Sequence, residues 1–199
     1  EAAMASPDQA RQREALADCL EESDRVLSML DTLMDISEAE TGTMRLTLAE
    51  IRIADVVSEV RELYEDVAED RGITLDTAVP PDLTVQADRD RLRQVLANLV
   101  DNAVKYTPDG GRVRLEAAAA GGRVELRVTD TGPGIPAHDL PRIWDRLYRG
   151  DRSRSARGLG LGLSLVKACV EAHGGRVEAA NLPAGGAQFM IDLPANPHL

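Results

Sequence analysis

Two glycine clusters and a pair of asparagines are the residues of this chain best suited to chemistry. The clusters are Asp130-Thr131-Gly132-Pro133-Gly134 and Gly158-Leu159-Gly160-Leu161-Gly162. Neither fits the GxxxxGK[ST] phosphate loop or the GxGxxG dinucleotide turn, and tight turns also produce such clusters. The second leads straight into an apolar helical stretch. Amides at a helix N-terminus beside bare glycines form a place where phosphates can approach the main chain. The asparagines lie in Asn98-Leu99-Val100-Asp101-Asn102. Four residues apart on a helix, Asn98 and Asn102 share a face. Leu92, Val95, Leu96, Leu99 and Ala103 form the apolar stripe, with Asn102 near its border. A polar group there either closes an internal network or meets a ligand. Lys105 and Tyr106 follow in the next turn, adding a cation for phosphate and a ring for a base.

Charge narrows the partners. The net charge is -11, which argues against nucleic acid, because phosphate backbones reward basic surfaces. One stretch reverses that sign: Arg142, Arg146, Arg149, Arg152, Arg154 and Arg157 stand against Asp145 and Asp151, a local net of +4. Charge alone reads as a solvated loop. Cys19 and Cys169 form no CxxC pair and sit in helix-like apolar patterns, as small packed residues of a reducing compartment do. His138, His173 and His198 lack ligand spacing, so no metal centre built on protein side chains is indicated. No stretch is apolar enough to cross a bilayer and no signal peptide opens the chain; the expectation is a soluble, cytoplasmic fragment, tied to a membrane only through segments absent here.

The elements that must position these groups are legible in outline. With 199 residues, the chain suits one domain and an appendage. Pro7 to Glu40 reads as one long helix, stopped by Gly42. Leu16, Leu20, Ser23, Leu27, Leu30, Met34 and Ser37 make a heptad seam, with Cys19, Val26 and Leu33 as a second row. Such a stripe must be buried, and a bundle partner is expected over packing on its own domain. Arg45–Ile53 alternates as a strand, and Ala54–Arg71 is an amphipathic helix ended by Gly72. Ile73–Thr77 and Thr84–Ala87 are strand candidates flanking Pro80-Pro81-Asp82, and Asp88 opens a helix to Tyr106. Arg112–Ala117 with Arg123–Thr129, and Arg176–Ala180 with Gln188–Leu193, read as hairpins; Gly160–His173 is a helix between them. The pattern predicts an α+β, two-layer α/β sandwich behind a stem helix, with 1–44 as partial stem and 45–199 as the main domain.

The order of motifs resembles the catalytic domain of histidine protein kinases, within the GHKL (Bergerat-type) ATP-binding superfamily. Asn98–Pro108 (NLVDNAVKYTP) is similar to its N box, Asp130–Pro136 (DTGPGIP) to its G1 box, Ile143–Arg154 (IWDRLYRGDRSR) to its F box, and Gly158–Val166 (GLGLGLSLV) to its G2 box. Leu16–Gly42, ending in LMDISEAETG, resembles the second helix of the dimerisation and phosphotransfer stem. The resemblance implies ATP and Mg²⁺ as ligands. Asp130 would accept from the adenine amino group, with Gly132, Gly134 and Ile135 against the base and Tyr106 stacking near it. Asn102 and Asn98 would hold Mg²⁺, Lys105 and Arg149 would balance triphosphate charge, and Gly158, Leu159, Gly160, Leu161 and Gly162 would line the phosphates. A lid would span Asp139–Arg157, its arginines facing phosphate and acidic partners. The implied partners are a response regulator receiver domain and a second copy joined through stem helices.

Three features bear on mechanism. ATP-hydrolysing relatives place a glutamate where Asn98 stands, and asparagine is no general base, so slow hydrolysis and transfer to a histidine are expected. The phosphoacceptor histidine box is absent, so this stretch alone is expected not to autophosphorylate. Trp144 and Leu147 stand where the F box usually has phenylalanine, and both are expected as apolar anchors. The rival reading is a non-catalytic ATP-binding interaction module.

Overall fold

The computed structural model describes residues 7–150 and 159–195. Its first element, α1 (Pro7–Glu40), is the long helix predicted from the sequence. It ends in a Schellman turn: the N–H of Thr43 donates to the Glu38 carbonyl and that of Gly42 to Ala39, with Gly42 at φ 69. The helix uses two faces. Leu16, Leu20, Leu27, Leu30 and Met34 of the seam remain exposed, whereas Met29, Leu33 and Ala39 pack on the body and Ile36 is 1% exposed. The body therefore takes one face of the helix, a packing the seam did not lead one to expect, and the seam itself stays exposed.

The body is a sheet with helices on one side. Five strands run in the order β2 (Thr74–Ala78), β4 (Arg112–Ala120), β5 (Arg123–Asp130), β7 (Ala187–Pro194), β6 (Arg176–Asn181). Only β2 and β4 are parallel. Val113, Leu115 and Ala117 on β4, Val124, Leu126 and Val128 on β5, and Phe189, Ile191 and Leu193 on β7 are buried at every second position. That period of two gives one covered face. α2 (Ile53–Asp70), α3 (Arg89–Tyr106) and α4 (Gly162–Ala172) supply the cover through Val56, Val60, Leu96, Leu99, Leu165 and Val166. The predicted α+β two-layer sandwich is the fold observed.

Details differ where pairing overrode local pattern. The strand expected at Arg45–Ile53 shrinks to β1 (Ala49–Arg52), because only those residues find a partner in β3 (Thr84–Ala87). β2 and β3 flank the same turn yet belong to different sheets. Gly121 and Gly122, both at positive φ, form the two-residue turn that sets the β4–β5 register, Ala120 opposite Arg123.

Candidate functional site

α3 presents the asparagines. Its start is fixed by Asp88, whose Oδ1 accepts from the Arg91 N–H (3.1 Å) and whose Oδ2 accepts from the Thr47 N–H (2.8 Å). Leu92, Val95, Leu96, Leu99 and Ala103 are buried, which turns Asn98 and Asn102 toward the face of α3 that lines a cavity. Each amide is oriented by its own helix: Asn98 Nδ2 donates to the Gln94 carbonyl (2.8 Å) and Asn102 Nδ2 to the Asn98 carbonyl (3.0 Å). The NH₂ groups being tied to the helix, the carbonyl oxygens are the ends offered outward. A Cβ on Gly162 would lie 2.6 Å from Asn98 Oδ1, so that oxygen faces the start of α4 directly.

The end of β5 delivers Asp130, 6% exposed. Its Oδ1 accepts from the N–H of Gly132 (2.8 Å) and of Ala187 (3.3 Å). Burial nevertheless pushes its carboxyl above the ordinary range, outweighing those two bonds. Gly132 has no room for a side chain, because a Cβ would sit 2.8 Å from both Asp130 Oδ1 and the Tyr106 carbonyl oxygen. Tyr106 is 38% exposed on the cavity wall, with Lys105 Nζ 5.3 Å from its ring centre. Asp101 also lines the wall, its carboxyl pushed up by burial and held back by Lys105.

Opposite them, Leu159, Gly160, Leu161 and Gly162 lead into α4, whose first turn carries no acidic residue and no side-chain cap. Bare amides at a helix start favour an anion. Leu161 is 4% exposed, so it anchors the loop in the core as well as touching the cavity. Gly158, Arg152, Arg154 and Arg157 lie outside the described residues.

The lid candidate is anchored at one of its two expected points. Trp144 meets Phe189 edge-on at 6.0 Å and 88°. Leu147 is 59% exposed and has φ 58, the left-handed region that a leucine seldom occupies. It is not an anchor. Tyr148 takes that part instead: its hydroxyl donates to the buried Asp139 at 2.5 Å and its ring lies under Arg142. Arg149 lines the cavity, while Arg146 turns away to pair with Glu40 at the end of α1.

Together these pieces enclose a cavity of about 500 Å³, which brings together Asn98, Asn102, Lys105, Tyr106, Asp130, Gly134, Ile135, Arg149, Gly160 and Gly162. Sequence reasoning missed part of its wall. Ser28 and Thr32 of α1 close one side, and Ala187 and Phe189 of β7 another. No motif flags them; only the docking of α1 and the sheet order bring them there. The two described histidines stay outside this cavity. His173 Nε2 accepts from the Asp88 N–H (3.0 Å) and its Nδ1 bonds the Cys169 carbonyl, a structural tie between α3 and α4. His138 is exposed and His198 lies outside the described residues. Among the described residues no group of three or more His, Cys, Asp or Glu could hold a metal, and no helix is long and apolar enough to cross a membrane.

Residues 87–197 match the family described as histidine kinase-, DNA gyrase B-, and HSP90-like ATPase. The chain belongs to that family. Within it, the chain is 40% identical over 166 residues to the sensor protein DivL of Caulobacter vibrioides, a stretch covering 83% of this chain and 21% of DivL. Full-length ShkA, solved in complex with AMPPNP, is 35% identical at a TM-score of 0.81, over 94% of this chain and 40% of ShkA. Histidine kinase ThkA, solved in complex with the response regulator protein TrrA, is 25% identical at a TM-score of 0.69, over 98% of this chain and 54% of ThkA. The chain spans about a fifth of DivL's length, so this ATPase-family unit is one part of what such relatives contain.

Proposed function

We propose that this chain is the ATP-binding unit of a two-component histidine protein kinase, 45–199 forming that unit and 1–44 part of its stem. One observation carries the reading: α3, the Asp130 turn and the Gly160–Gly162 helix start, distant in sequence, converge on one cavity. Asp130 supplies a charged, buried acceptor on the cavity wall, suited to the 6-amino group of adenine and unsuited to the carbonyl of guanine. Gly160, Gly162 and the α4 N-terminus receive the phosphates, with Lys105 and Arg149 balancing their charge.

Two outward amide oxygens fit Mg²⁺, a hard ion that takes oxygen ligands and shares its shell with phosphates and water. Asn98 and Asn102 would hold it, and its chemistry there would be charge neutralisation of the triphosphate. Asn98, and Gln94 one turn back, offer no base to activate water, so the γ-phosphate is kept for a histidine nucleophile on the stem's other helix. The phosphoryl group then passes to a response regulator aspartate, the class of partner present in the ThkA complex. The exposed seam of α1 is the face for stem helices of a second copy, and two free cysteines accord with a cytoplasmic setting.

Calorimetric titration of a non-hydrolysable ATP analogue, with and without Mg²⁺, tests binding; adenine-selective, Mg²⁺-enhanced binding that Asp130→Asn abolishes is expected. Adding a separate histidine-bearing stem then tests transfer. An acid-labile phosphate on that stem marks a kinase, whereas binding without labelling leaves an ATP-binding interaction module.

A further inference from the structure

We infer that Asn181, outside all four motif boxes, is a positioning residue for the base end of the cavity, holding the Gly134–Ile135 turn in shape. The inference rests on the ATP reading above. Asn181 is the last residue of β6, an edge strand, and nothing in the sequence sets it apart. Its side-chain amide bonds both main-chain groups of one residue. The Ile135 N–H donates to Asn181 Oδ1 at 2.7 Å, and Asn181 Nδ2 donates to the Ile135 carbonyl at 2.6 Å. A neighbouring strand pairs with a residue in this same two-way fashion. The amide therefore extends the sheet by one pairing onto a loop that has no strand of its own.

The loop is shaped around that clamp. Gly134 has φ 72, and a Cβ there would sit 2.7 Å from Asn181 Oδ1, so any side chain would expel the amide. The neighbours of Ile135 are Gly134 and Pro136, one without a side chain and the other without an N–H. The same hairpin braces Asp130 from below. Ala187 donates to its carboxylate, and Gly186, at φ 91, leaves no space for a side chain over the Asp130 carbonyl. The β6–β7 hairpin thus holds both halves of the base-facing turn, Asp130 through β7 and Ile135 through Asn181. The clamp requires asparagine. Aspartate would keep the acceptor but turn a second oxygen on the Ile135 carbonyl, and alanine would leave both groups to water.

The clamp makes a selective prediction: its loss should weaken recognition of the adenosine half of the nucleotide and leave the triphosphate half unchanged. Losing two hydrogen bonds that hold one loop conformation lowers the competent population by about ten-fold, and the apparent affinity with it. The test titrates wild type, Asn181→Ala and Asn181→Asp with the non-hydrolysable ATP analogue, then displaces it with adenosine or with inorganic tripolyphosphate. Both variants should bind analogue and adenosine about ten-fold more weakly, tripolyphosphate as well as wild type does, and Ile135 amide exchange should accelerate. Because Asn181 is exposed at an edge, the melting temperature should stay within a few degrees. Unchanged analogue affinity in both variants, with wild type binding normally, overturns the clamp alone. An equal loss for tripolyphosphate also overturns it, because that pattern is general damage. A wild-type chain that binds no analogue overturns the ATP reading and this inference with it.

Discussion

Asp35 and Arg91 fix α1 to the body, and cutting this pair should free it. Arg91 Nη1 and Nη2 lie 2.5 and 2.8 Å from the two oxygens of Asp35, a forked pair whose side chains are 26% and 18% exposed. The hydrogen bond to Asp35 is the main reason the guanidinium holds its proton more tightly than usual. Bonds to charged groups contribute about 1.5–3 kcal/mol when enclosed, and exposed pairs about 0.2–1. A forked pair about a fifth exposed falls between, so a coupling of about 1.5 kcal/mol is expected. Single truncations should cost about 2 kcal/mol, because each strands a partly buried charge. The assay is a double-mutant cycle on Asp35→Ala and Arg91→Ala, read as amide-exchange protection of Met29 to Ala39, the turns that pack on the body. Glu40 and Arg146, exposed at the stem's end, make a second cycle that should couple less. A coupling below about 0.3 kcal/mol for Asp35 with Arg91 would refute the claim that this pair docks the stem.

Two further outcomes follow from the cavity. Gly162→Ala would put a methyl 2.6 Å from Asn98 Oδ1; it should weaken analogue binding about ten-fold more in the presence of Mg²⁺ than in its absence, as titration with and without the ion will register. A uniform loss in both conditions would place the damage elsewhere. Asp130 is a carboxyl whose folded-state pKa is raised by burial, so its stabilising contribution is present at low pH and lost as pH rises through that value. Asp130→Asn should therefore melt higher than wild type near neutral pH while losing adenine binding, and the gap should close on acidification. Melting curves across the acid range check it, and a variant less stable at neutral pH would contradict the sign.

The sequence by itself determined the local elements and the motifs that line the cavity. Alternation marked β4 and β5, a hairpin pattern marked β6 and β7, and the seam ending at Gly42 marked the long first helix. Asn98 with Asn102, and Asp130 with its glycines, are local in sequence, so spacing alone placed them on one helix face or one turn. The lid was read less well. Trp144 and Leu147 look equivalent as large apolar residues, but only Trp144 finds a ring on β7 to pack against. Tertiary structure decided what depends on distant partners. Leu33 and Leu30 share one helix pattern, yet the first packs on the body and the second stays exposed, because α4 and Arg91 dictate which face docks. Asn181 carries no motif, since its role comes from meeting Ile135, brought beside it only by the strand order β5-β7-β6. Motifs are legible where one short segment contains both partners of an interaction; where the partners lie tens of residues apart, only the fold joins them.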